Sequence, residues 1–125
     1  MSKVLENLKY VKSHEWIRVE GKVGVIGITD YAQGSLGALV YVELGDVGDE
    51  IKQFSEFGAV ESVKAASDIF APVSGKIIEI NQEVVDSPEL INEDAYANWL
   101  IKVEIEDEKE LENLLNAAAY RETLQ

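Results

Sequence analysis

The chain has 125 residues, 46% hydrophobic and 28% charged, the proportions of one compact water-soluble domain spanning 1–125. It has no cysteine and one histidine, His14, which excludes disulfides, thiol nucleophiles and metal sites built on cysteine or clustered histidine. The 24 acidic against 11 basic residues give a net charge of −13, which repels nucleic-acid phosphate and anionic lipid and leaves basic protein faces and cationic ligands as expected partners.

The first residues lack the apolar run of a signal peptide, and no apolar stretch is long enough to span a membrane. A cytoplasmic location is the expectation. Glu15 to Glu20 alternates weakly and ends at the turn residue Gly21. Val23 to Ile28 is apolar, with Gly24 and Gly27 inside it. Thr29 offers an N-cap for one or two helical turns, with Gly34 as the expected stop. Leu39 to Leu44 reads as a strand with Val40, Val42 and Leu44 on one face. Residues 45–49 form a turn cluster. Strands are expected at Phe57 to Val63 and at Asp68 to Val73, where Pro72 fits an edge or a strand start. Gly75 opens a strand through Ile80, and Trp99 to Ile105 alternates most cleanly.

The tail reads as a helix over about 107–123. Leu111, Leu114, Leu115, Ala118 and Ala119 fall on one face. Asp107 and Glu110 form a pair like a capping box, and the acids around them suit a helix start. Gly37 to Leu44 faintly repeats in Gly75 to Asn81, as two halves of a sandwich would.

Between the two copies, Val63, Lys64, Ala65 and Ala66 join two strand-like stretches, so small neighbours leave Lys64 open at a turn. An arbitrary turn lysine only adds solubility. Here the surroundings say more. Glu61 to Asp68, followed by Ala71, Pro72, Val73, Ser74 and Gly75, resembles the lipoyl-attachment hairpin of glycine cleavage system H proteins. Biotin carriers usually flank the lysine with methionines, whereas Val63 and Ala65 stand here. The resemblance extends to Ser13 to Trp16, Gly27 to Gln33, Val42 to Leu44, Pro88 to Asn92, Trp99 to Lys102 and the acidic, leucine-containing tail. Gly45 and Ser35 depart from the residues commoner in that family.

The resemblance implies a mostly β fold, a lipoyl-domain-like barrel-sandwich hybrid of two antiparallel sheets with short helices and a C-terminal helix. It implies lipoate amide-linked to Lys64, and a carrier subunit with no catalytic residue of its own. The arm would carry the aminomethyl group of glycine between a pyridoxal-phosphate glycine decarboxylase (P protein), an aminomethyltransferase (T protein) and a dihydrolipoyl dehydrogenase (L protein). A lipoate ligase or a lipoyl/octanoyl transferase would load it. By the same resemblance Ser13, Glu15 and Asp68 line the path of the loaded arm, and Glu61 is a recognition point for the ligase. Trp16 and Trp99 are read as core, and His14 as structural. Two alternatives stand beside this reading: a lipoylated way-station for lipoate transfer, and a plain β interaction module with Lys64 unmodified.

Overall fold

The apolar residues of the chain are divided between two antiparallel sheets, seen in a computed structural model that describes residues 2–125. The strands are β1 (Lys9–Tyr10), β2 (Glu15–Glu20), β3 (Val23–Ile28), β4 (Leu39–Glu43), β5 (Glu50–Ile51), β6 (Glu56–Ser62), β7 (Ala66–Phe70), β8 (Gly75–Ile80) and β9 (Ile101–Ile105). A six-stranded sheet has the order β1-β2-β3-β9-β8-β5, and a three-stranded sheet the order β4-β6-β7. Their facing sides meet in one core that includes Ile17, Ile26, Ile77 and Val103 from the first and Leu39, Val42, Val60 and Ile69 from the second. The two copies of the faint repeat lie in different sheets, as two halves of a sandwich require.

β2 and β3 show little alternation because both of their faces are covered. Ile17 and Ile26 enter the main core, while Trp16 and Val25 on the opposite face join Leu8, Tyr10, Ala117 and Tyr120 in a second one. Gly27 lies opposite Trp16, and a Cβ there would come within 2.6 Å of the indole. The missing side chain lets the ring lie flat across the strand, with its Nε1 donating to Ile28 O at 2.9 Å. Trp99 is only partly buried and packs at the margin of this second core.

Several expectations need correction. Thr29 does cap α1 (Asp30–Leu36), accepting from the Ala32 N–H, but the helix runs through Gly34 and stops at Gly37. Gly37 supplies the φ of +85° that ends the helix, and its N–H returns to Gln33 O. Val42 in β4 and Leu44 just after it are buried, but Val40 is 55% exposed. A bulge between Leu39 and Tyr41 turns Val40 outward. β7 begins and ends earlier than expected, stopping before Pro72, which has no N–H for a ladder. Two helices that the sequence did not suggest, α2 (Gln82–Asp86) and α3 (Glu89–Glu93), are too short to show a helical period.

The C-terminal helix over 107–123 is two elements. A 3-10 segment (Glu108–Asn113) follows Asp107, whose side chain accepts from the Lys109 N–H as a cap. The chain then extends so that Leu115 exchanges two backbone bonds of 2.8 Å with Tyr10. Asn116 starts a new helix, α4 (Ala117–Thr123), accepting from the Ala119 N–H. The apolar residues serve two cores, Leu114 the main one and Ala117 the second. Glu110 does not close a capping box. Its carboxylate accepts from the Ser74 N–H and Oγ at 2.7 and 2.9 Å, tying the tail to the strand behind the hairpin.

Candidate functional site

The pairing of β6 with β7 runs to Glu61 opposite Ala66 and leaves residues 62–65 as the tip of a hairpin. Val60 and Ile69, each 1% exposed, anchor its two strands in the core. Ser62 closes the tip. Its N–H donates to Ala65 O at 2.7 Å, and its Oγ accepts from the N–H groups of Ala65 and Lys64 at 3.0 and 3.3 Å. The short hydroxyl side chain satisfies the turn from within, so Val63 and Lys64 point outward. Lys64 is exposed and makes no ion pair among the described residues. Its side chain passes over Gly37, where a Cβ would meet Cε at 3.3 Å. A free primary amine thus sits on a rigid mount with open solvent on its outer side.

Ser13 and Glu15 are brought together. The Ser13 hydroxyl donates to one Glu15 carboxylate oxygen. The other accepts from the Phe70 N–H at 2.8 Å, so a side chain of β2 satisfies the outer edge of β7. Glu15 is 1% exposed. Burial raises its pKa, and the bonds from Phe70 and Ser13 only partly offset that. Asp68 is exposed and forms no hydrogen bond with Ser13 or Glu15. It shares a face of β7 with Phe70, two residues on. Ser13 and Phe70 line a cleft of about 510 Å³ with Tyr10, Val11, Phe54 and Leu115. Asp68 lines a smaller hollow with Glu43 and Glu56. A hydrogen bond and then the charge of Asp68 raise the pKa of Glu56. Glu61 projects outward from β6 beside Tyr41.

A polar chain beneath the Ser13–Glu15 corner was not visible in the sequence. The Tyr120 hydroxyl lies 2.8 Å from His14 Nδ1 and 2.7 Å from Thr29 Oγ1. Tyr120 is fully buried and stacks on Tyr10 with centroids 4.4 Å apart. His14 adopts φ +77°, a conformation histidine tolerates better than most residues, and its ring packs on Tyr31. Burial lowers its pKa. The chain joins α4, the N-cap of α1 and the turn that presents Ser13. The only sequence signal was a lone histidine beside Ser13 and Glu15.

The family model described as glycine cleavage H-protein matches residues 8–125. The glycine cleavage system H protein of Carboxydothermus hydrogenoformans is 57% identical over 126 residues, covering 100% of this chain and 97% of that protein. That of Symbiobacterium thermophilum is 54% identical, covering 96% and 94%. The crystal structure of a glycine cleavage system H protein from Mycobacterium marinum superposes with a TM-score of 0.88 at 36% identity, covering 97% of this chain and 98% of that one. Among the described residues no helix is long and apolar enough to cross a membrane.

Proposed function

The chain belongs to the glycine cleavage H-protein family, and on that premise we propose that Lys64 bears its lipoyl arm. Its role in the glycine cleavage system is that of the lipoyl carrier, and catalysis belongs to its partners. Those are the decarboxylase, the aminomethyltransferase and the dihydrolipoyl dehydrogenase of that system. The loading enzyme is a lipoate ligase or a lipoyl/octanoyl transferase, and the compartment is the cytoplasm.

The observation that carries the assignment to Lys64 is the tip itself: an exposed amine, without an ion pair among the described residues, on a hairpin whose strands are fixed in the core. In the attachment step the Lys64 amine attacks the carbonyl of an activated lipoyl group, forms an amide, and releases the leaving group and a proton. Small residues at Ala65 and Ala66 let a loading enzyme close around the amine. Glu61, outward on β6, is a contact for that enzyme. When attached, the lipoyl group supplies a disulfide that accepts an amine-bearing one-carbon unit and later gives it up.

Ser13, Glu15 and Asp68 hold the cationic end of the loaded arm. Asp68 is four residues from Lys64 on the strand, about 13 Å at the usual rise per residue. It is the exposed acid of the three. Glu15 is enclosed, so it acts through Ser13, whose hydroxyl points its proton at Glu15 and leaves its lone pairs for an ammonium.

The test is intact mass after incubation with a lipoate ligase, lipoate and ATP. The wild type is expected to gain one lipoyl group and Lys64→Ala none. An adduct mapped to Lys76 or Lys102 would overturn the assignment.

A further inference from the structure

The tip of the Lys64 hairpin is not free-standing. The Val63 N–H donates to Ala38 O at 3.2 Å, one step beyond the Leu39–Ser62 pair that ends the β4–β6 ladder. Ala38 lies in the short turn between α1 and β4, and Gly37 in the same turn lies beneath the Lys64 side chain. Asn92 of α3 grips this turn from both sides. Its Oδ1 accepts from the Leu39 N–H at 2.9 Å, and its Nδ2 donates to Gly37 O at 2.9 Å. Nδ2 also donates to Gln33 Oε1 at 2.9 Å, and Gln33 Nε2 donates in turn to Asp30 Oδ1, which ties the grip to α1. One amide thus satisfies backbone groups on both sides of Ala38, the residue that receives the tip.

From this we infer that Asn92 is a positioning residue for the modification of Lys64. It acts through the Gly37–Leu39 turn to hold the hairpin tip in the pose that a loading enzyme takes up. The geometry allows no direct role, since Asn92 bonds the turn and α1 but not residues 62–65. An unclamped turn leaves Ala38 O mobile and removes the fixed acceptor from the Val63 N–H. The tip then has to be ordered when the enzyme binds, which weakens binding and leaves the chemical step alone. The inference rests on Lys64 being the lipoylated residue, but the clamp has a readout that does not.

The experiment compares wild type with Asn92→Ala in two measurements. The first is hydrogen exchange of the Val63 amide relative to Val60 on the same strand. The second is the steady-state lipoylation rate with a lipoate ligase, lipoate and ATP, split into KM for this protein and kcat. Asn98→Ala is the control. Asn98 also bonds two carbonyls around α3, Leu90 O and Asp94 O, but it touches neither the turn nor the tip. The loss of the bonds that fix Ala38 is expected to speed Val63 exchange roughly tenfold and to raise KM by a similar factor with kcat unchanged. The control is expected to lower stability and leave both readings at wild-type values. If Asn92→Ala does not fold, Asn92→Asp keeps the acceptor for the Leu39 N–H and sets a negative oxygen against Gly37 O, so the same shifts are expected. Val63 exchange and KM equal to wild type would overturn the inference, as would equal shifts in the Asn98→Ala control. Lipoylation at a residue other than Lys64 would sink the Lys64 assignment instead, and Val63 exchange alone would then judge the clamp.

Discussion

Glu15 keeps a carboxylate where almost no water reaches it, with burial raising its pKa above the ordinary 4.5. A glutamine there retains both bonds, since its oxygen accepts from the Phe70 N–H and its amide donates to Ser13 Oγ. Packing alone therefore does not explain the charge, whereas the cationic load proposed for the arm would. The pH dependence follows from the direction of the shift. A raised folded pKa adds stability that is fully present below 4.5 and is lost as pH rises through the folded value. Glu15→Gln lacks that loss, so its stability relative to wild type is expected to increase from pH 4.5 toward neutrality. His14, with a lowered folded pKa, contributes stability present above 6.5 that is lost as pH falls, but it is common to both proteins and cancels. Urea midpoints at several pH values measure the difference, and a difference flat with pH contradicts the assignment. The same substitution combined with Asp68→Asn is expected to speed loss of the load from the lipoylated protein when no partner is present. Equal decay rates would show that these acids do not hold the arm.

At the scale of elements, the hairpin and α4 make opposite demands. Lys64→Ala removes an exposed side chain and is expected to change stability by no more than about 0.5 kcal/mol. Tyr120→Phe removes a hydroxyl shared by His14 and Thr29 and is expected to cost about 1–3 kcal/mol, because both partners lose their contact in a buried site. Thermal unfolding with two-state analysis distinguishes the two, and an equal effect would contradict the picture of a passive tip on a load-sharing frame. The hairpin was legible in the sequence because its determinants are local: two strand-like stretches are joined through small residues that open the turn, which Ser62 closes. The Tyr120 chain was not, because its partners lie 106 and 91 residues away. The tail misled for a related reason. Its leucines and alanines do fit one helical face, but Leu115 is claimed by the backbone of Tyr10 and Asn116 restarts the helix. The weak period of β2 and β3 likewise reflects α4 covering their outer face, a tertiary fact.

At the scale of the whole molecule, the two antiparallel sheets and the placement of the hairpin were implied by the resemblance, and the strand count and the faint repeat agreed with it. What the sequence could not give was the contact of the tip with Ala38 and the bonds of Asn92 to the turn on either side of Ala38, since these residues come from outside the hairpin. The charge of −13 is spread over a surface that partner enzymes must find. Exposed charges are screened over roughly 8 Å at physiological ionic strength, so affinity for the decarboxylase is expected to fall as salt rises. An affinity unchanged between low and high salt would assign the acidity to solubility alone. The central claim is that this chain carries glycine's one-carbon unit on Lys64 while its partners do the chemistry. The most direct measurement is carbon dioxide release from glycine by the three partner enzymes, with the protein pretreated with lipoate ligase, lipoate and ATP. Sustained release with the wild type and none with Lys64→Ala is the predicted result, and equal release from the two would contradict the account.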